Sequence, residues 1–152
     1  MSALQKKDIV AVIGAGTMGV GIAQVAATAG HKTLLYDTNR TALNDALEAL
    51  THIIDRQVSK GRISSEKRSA IIANIHPIDK IRDVAGAHLV IEAIVEDLAT
   101  KQSLFNQLES ICSEQTILAS NTSSLSITAI AAKLDRPGKL LGTQFFNPAP
   151  VM

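Results

Sequence analysis

Short apolar runs alternate with longer segments of helical spacing along the whole chain. The first run, Lys7-Asp8-Ile9-Val10-Ala11-Val12-Ile13, predicts a strand. A helix over about Thr17 to Ala29 follows, with Met18, Ile22, Val25, Ala26 and Ala29 on one face and Gly30 as its stop. A second strand, Lys32 to Tyr36, ends at Asp37. Leu43, Leu47, Leu50 and Ile54 then recur at helical spacing, from a cap near Thr38 or Asn39 to Gly61. Ser64 or Ser65 caps another helix, which carries Ile71 and Ile72. Two helices between strands exceed what a simple crossover needs, which predicts a projecting helical pair. Further strands are predicted around Ile75 to Ile78, over Leu89 to Ala93, over Thr116 to Ala119 and over Lys139 to Phe146. Helices from about Asp97 to Ile111 and Ile127 to Leu134 lie between them. The pattern is that of an α/β fold, doubly wound, with a mostly parallel sheet.

Composition supports a core of this type. The chain has 152 residues, enough for one domain, and 46% of them are hydrophobic but only 3% aromatic. An aliphatic interior suits a parallel sheet covered on both faces. A net charge of +1 gives no reason to expect nucleic acid or an anionic membrane as partner. No apolar run reaches the ~18 residues of a bilayer span. Cys112 is alone, so the chain has neither a disulfide framework nor metal-ligand spacing, and it reads as a small, unreactive helix residue. A reducing, cytoplasmic compartment is expected.

The first strand runs straight into Gly14-Ala15-Gly16-Thr17-Met18-Gly19. G-x-G-x-x-G between a strand and a helix is a dinucleotide-binding signature with a physical basis. Gly14 permits the tight turn, Gly16 lets the backbone approach a pyrophosphate, and Gly19 lets the helix pack close to the sheet. The helix N-terminus offers free N–H groups and a positive dipole end to the phosphates. Asp37 stands 18 residues beyond Gly19, close to the separation of about 20 found for a ribose-binding acid. A carboxylate there accepts hydrogen bonds from ribose hydroxyls and repels a 2′-phosphate, which favours NAD over NADP. Arg40 is the counter-argument, since an arginine at this corner can pair with that phosphate. Read blandly, Asp37 is only a helix cap beside an α/β turn.

Other polar residues gather at the predicted carboxyl ends of strands, where open α/β sheets bind ligands. Glu96 and Lys101 follow one strand, Asn121-Thr122-Ser123-Ser124 the next, and Gln144 and Asn147 the last. The Asn-Thr-Ser-Ser run also fits plain turn and capping chemistry. Lys101 taken alone reads as a solvated helix residue, and Lys60 as a charge favourable at a helix C-terminus. His31, His52, His76 and His88 lack partners at metal spacing and read as structural.

Four segments in order resemble the 3-hydroxyacyl-CoA dehydrogenases: Val12 to Gly19, Val90 to Asp97, Ser120 to Leu125, and Phe145 to Met152. The resemblance runs from about Asp8 to the last residue and is to the family's N-terminal, Rossmann-like NAD domain. It implies oxidation of an (S)-3-hydroxyacyl-CoA to the 3-oxo product with NAD as hydride acceptor, in fatty-acid or phenylacetate-type degradation. Under it, Gly14, Gly16, Thr17, Met18 and Gly19 match the pyrophosphate loop, and Asp37 the ribose acid. Ala93, Glu96, Lys101, Asn121 and Asn147 match positions near the nicotinamide half. Ser123 matches the serine that bonds the substrate's reacting oxygen, and Lys60 a basic position near the CoA moiety. Residues 39–73 match the projecting helical pair.

Two departures accompany the resemblance. The family carries histidine immediately before Phe-Phe-Asn-Pro, where this chain has Gln144. A glutamine amide can hold an oxygen but cannot take a proton at neutral pH. The family also continues into a helical domain that completes the substrate pocket and the homodimer. Residues 1–152 are thus expected to be the NAD domain alone, with an apolar end, Phe145-Phe146 and Pro150-Val151-Met152, that packs on that second domain. Two other readings stay open: a non-catalytic NAD-binding module, and a dehydrogenase of a non-CoA hydroxy acid.

Overall fold

The computed structural model describes residues 4–151. Met152, the tip of the apolar end, lies outside the described residues. Six parallel strands form one sheet: β1 (Val10–Ile13), β2 (Thr33–Tyr36), β3 (Ile75–Pro77), β4 (Leu89–Glu92), β5 (Ile117–Ser120) and β6 (Leu140–Gly142). Their spatial order is β3-β2-β1-β4-β5-β6. The chain winds outward from β1 in one direction and, after β3, returns to continue from β4 in the other. This is the doubly wound α/β architecture, and the crevice between β1 and β4 is its switch point.

Strand alternation builds two cores. Val10 and Val12 face α1 (Thr17–Thr28), α2 (Arg40–Ser59) and α3 (Ser65–Asn74). Ala11 and Ile13 face α4 (Leu98–Ile111) and α5 (Ile127–Ala131), through Phe105, Leu108 and Ile130. Successive side chains point to opposite faces of a strand, so an unbroken apolar run is what a sheet covered on both sides requires. The caps match the polar signals: Asn39, Ser64, Asp97 and Ser126 each accept a backbone N–H three residues ahead.

Two expectations need correction, the buried face of α1 and the length of the last strand. The buried face of α1 is Gly19, Ile22, Ala23, Gln24 and Ala27, while Ala29 is exposed. Close packing sets that face: a Cβ on Gly19 would sit 1.8 Å from the Gly14 carbonyl oxygen, so the smallest residues meet the sheet. The helical pair, α2 and α3, is anchored at its base. Leu43, Leu50, Ile54 and Ile71 seat it in the core beside α1, and the Asn74 amide donates to the Ala27 carbonyl at 3.0 Å. The last strand is three residues, not eight: Thr143 N–H makes the last bond to the β5 backbone, at the Ser120 carbonyl (2.9 Å), and Phe145 N–H donates to the Asn121 side chain at Oδ1 (2.9 Å).

Candidate functional site

The glycine turn has the geometry its sequence anticipates. Gly14 has φ +104°, a left-handed conformation that L side chains avoid, and a Cβ there would lie 2.5 Å from the Ala93 carbonyl oxygen. Gly16 differs: a Cβ on it would meet nothing within 4 Å. The space over Gly16 opens into a cleft of about 1010 Å³. Gly14, Gly16, Thr17, Met18, Asp37, Ala93 and Asn121 all line it, as do Tyr36, Thr38, Ile94 and Thr100. The cleft therefore sits outside the carboxyl ends of β1, β2, β4 and β5, and crosses the switch point.

Asp37 does more than cap. Its Oδ2 accepts the Ala15 N–H at 2.7 Å and its Oδ1 accepts the Asn39 N–H at 2.8 Å. The carboxylate thus braces the glycine turn and orders the start of α2, with lone pairs left for the cleft. Arg40 points elsewhere. Its guanidinium pairs with Asp79 at 2.6 Å and donates to the Ile78 carbonyl at 3.4 Å, beyond the end of β3.

Charge is concentrated beyond β4. Lys101 is 0% exposed, which corrects its reading as a solvated helix residue. Its Nζ lies 2.5 Å from Glu92 Oε1 and 3.2 Å from Glu96 Oε2. Glu92 is buried too; its Oε1 also accepts the Ile94 N–H at 2.7 Å, and its Oε2 accepts the Ser120 hydroxyl at 2.6 Å. Sequence reasoning missed Glu92 and Ser120. The available signal was an acid ending an apolar strand with a lysine nine residues on, sharing a helix face with Phe105 and Leu108.

Glu96 organises the Asn-Thr-Ser-Ser run. Its Oε1 accepts the Thr122 hydroxyl, the Ser124 hydroxyl at 3.0 Å, and the Ser123 and Ser124 N–H groups at 3.3 Å each. Partial burial alone would raise its pKa. The Thr122 and Ser124 hydroxyls and the Lys101 ammonium overcome that and bring it from 4.5 to about 2. A folded-state value below the unfolded one contributes stability that is complete above 4.5 and is lost as pH falls toward about 2. In an acid titration followed by amide NMR, Ser123 and Ser124 should hold their positions through about pH 4 and move only on approach to the lowered value. Movement centred at the ordinary glutamate value would show that the clamp does not exist.

The remaining predicted residues do not line this cleft. Ser123, Gln144 and Asn147 are exposed. Asn147 lines a second, apolar hollow of about 560 Å³ with Val20, Ala46, Leu50 and Ile53. Gly16 and Thr17 line both hollows, so the two meet at the glycine turn. Lys60 stands exposed at the C-terminal end of α2 and lines neither. Burial pushes the Cys112 thiol up, consistent with an inert packing residue. Among the described residues no cluster of three or more His, Cys, Asp or Glu could hold a metal, and no helix is long and apolar enough to cross a membrane. His31 and His88 are tied to the first strand region: His31 Nδ1 lies 3.1 Å from the Asp8 carbonyl, and His88 Nδ1 accepts the Ile9 N–H at 3.1 Å.

Comparison with known proteins agrees with this geometry. The family described as 3-hydroxyacyl-CoA dehydrogenase, NAD binding domain, matches residues 9–152. A 3-hydroxyadipyl-CoA dehydrogenase of Escherichia coli is 48% identical over 94% of this chain and 30% of its own length. A 3-hydroxybutyryl-CoA dehydrogenase of Clostridioides difficile is 42% identical over 93% of this chain and 50% of its own. The crystal structure of a 3-hydroxybutyryl-CoA dehydrogenase from Escherichia coli superposes with a TM-score of 0.94 at 46% identity, over 96% of this chain and 31% of that one. The chain thus spans about a third to a half of these relatives. It belongs to the family of NAD-binding domains of 3-hydroxyacyl-CoA dehydrogenases.

Proposed function

We propose that this chain is the NAD-binding part of an enzyme that oxidises (S)-3-hydroxyacyl-CoA to 3-oxoacyl-CoA. The observation that carries the reading is the meeting of two hollows at Gly16 and Thr17. One is bounded by the glycine turn and Asp37 and suits a dinucleotide. The other is apolar, runs along α2 and has Asn147 at its edge, which suits an acyl-pantetheine arm. Bound NAD would supply a hydride acceptor. Gly14 to Gly19 would cradle its pyrophosphate, Asp37 its ribose, and Ala93 and Asn121, which line that hollow, would border its nicotinamide half, with Glu96 and Asn147 approaching from outside the lining. Ser123 is the hydroxyl offered to the substrate's reacting oxygen. A second domain beyond this chain, completing the acyl-CoA pocket and a homodimer, belongs to the same proposal.

The cofactor preference can be tested directly on this chain. Asp37 adds a negative charge where a 2′-phosphate would sit, and Arg40 is engaged by Asp79. Calorimetric titration should therefore show NADH binding at least about tenfold more tightly than NADPH, a difference of about 1.4 kcal/mol. Equal or tighter NADPH binding would sink the assignment.

One observation favours a second reading. Gln144 is exposed at the end of the β6 segment, where the family carries its proton-accepting histidine. A primary amide has no basic nitrogen at neutral pH. A chain that binds NADH but supports no turnover when joined to a second domain would be a non-catalytic binding module.

A further inference from the structure

We propose that Gly21 is a positioning residue for the segment that carries Gln144 and Asn147: its bare face on α1 receives Ala149 and so fixes where both polar side chains stand. The inference rests on reading the first cleft as a dinucleotide site, with Asn147 approaching its nicotinamide half. Gly21 lies four residues beyond Thr17, so the two share a face of α1, and with Val20 and Gln24 they line the apolar hollow. A Cβ on Gly21 would lie 3.2 Å from the Ala149 Cβ and 3.6 Å from the Pro150 Cδ. The helix meets the segment with no side chain of its own in between. Glycine inside a helix is less stable than alanine, so helix formation alone gives no reason for it here.

Residues 143–149 hang between two anchors. At one end Thr143 N–H reaches the Ser120 carbonyl and Phe145 N–H reaches Asn121 Oδ1, each at 2.9 Å. At the other end, among the described residues, no hydrogen bond joins residues 146–150 to α1 or to the sheet, so packing seats it. Ala149 is 4% exposed and belongs to the same core as Ile22 and Ala23 of α1. Phe145 packs on that core too, while Gln144 and Asn147 stand exposed between the anchors. Groups that handle a ligand have to stand within about 0.5 Å of their productive place. A methyl group at position 21 would push Ala149 away by a few tenths of an ångström, which is comparable with that tolerance.

Three variants of the chain test the contact: Gly21→Ala, Ala149→Gly and the two together. Alanine at position 21 favours the helix, so the first variant should fold. Its Gln144 and Asn147 side-chain amide resonances should shift with no ligand present. NADH affinity should fall about fivefold, the scale of one neutral hydrogen bond. Affinity for ADP-ribose, which reports the glycine-turn and Asp37 end alone, should change less than about twofold. The double variant gives the space back, so its resonances and its NADH affinity should return to those of the parent chain. Ala149→Gly alone controls for the backbone freedom that a second glycine adds. Unmoved amides in Gly21→Ala would overturn the proposal. A parallel fall for both ligands, or a double variant no better than Gly21→Ala, would make Gly21 a packing residue only and overturn it too. So would shifted amides with unchanged NADH affinity. Amides that shift and are restored, in a chain whose parent form binds neither ligand, would refute the dinucleotide reading and leave the placement of the segment standing.

Discussion

Histidine introduced at position 144, in a protein that includes the family's second domain, should raise kcat by roughly 10²-fold or more, with KM changed far less. Under the proposed function the hydroxyl proton has to reach a base while hydride leaves the carbon that bears the hydroxyl. Gln144 cannot accept it. Ser123 is too weak an acid to serve as an alkoxide at neutral pH. Glu96 is the carboxylate bonded to the Ser123 backbone, and its partners bring its pKa down to about 2, so it is a poor proton acceptor at pH 7. The gain should rise with pH around a value near 6.5 as the imidazole becomes neutral. The measurement is acetoacetyl-CoA reduction and 3-hydroxybutyryl-CoA oxidation by both forms across roughly pH 5–9. If the glutamine form is already as fast, another group is the base and this mechanism is wrong. If neither form turns over while NADH still binds, the binding-module reading holds.

Alanine at Gly16 and alanine at Gly19 should fail in opposite ways. Gly16 has φ −67° and ψ 179°, an ordinary extended conformation, and a Cβ there meets nothing within 4 Å. The Gly16→Ala protein should fold with an unchanged Tm, yet lose NADH affinity tenfold or more, because the methyl group stands where the pyrophosphate must approach (about 1.4 kcal/mol per factor of ten). At Gly19 the added carbon falls 1.8 Å from the Gly14 carbonyl oxygen and 2.8 Å from its carbon, both backbone atoms. Either α1 or the turn has to move. Overpacking of this kind costs about 3 kcal/mol, which lowers Tm by roughly 6–12 °C for a domain of this size. Thermal melts and calorimetry on both variants check the contrast. A stable Gly19→Ala protein would overturn the close packing of α1 on the turn, and a Gly16→Ala protein that binds NADH normally would show that the turn is not the phosphate cradle.

The fold was legible because its signals are local. The unbroken apolar run Val10 to Ile13, the caps at Asn39, Ser64 and Asp97, and the stop at Gly30 each depend on a few neighbouring residues. The glycine turn was legible for the same reason. Lys101 was misread because burial of a charge depends on partners that helical spacing does not show. Glu92 lies nine residues away, and Ser120 comes from another strand. The length of β6 failed similarly: apolar content favoured a strand through Phe146, but a ladder needs a neighbouring backbone, and β5 ends at Ser120. The second hollow has no linear signature at all, since it is assembled from α1, α2 and the segment around Asn147.

Asp37 ties the choice of coenzyme to the architecture of the domain. Its two oxygens hold Ala15 and Asn39, and under the proposed function the same charge would repel a 2′-phosphate. Redesign toward NADPH by a small apolar residue at 37 would therefore loosen the very turn proposed to cradle the phosphates. Asparagine keeps one carbonyl oxygen for the Ala15 N–H and removes the repulsion. Arg40 is already at hand, restrained by Asp79 on an exposed surface where such pairs are worth at most about 1 kcal/mol. Converting the coenzyme preference of this domain is thus a matter of releasing an existing cation while sparing a brace, rather than of building a new pocket.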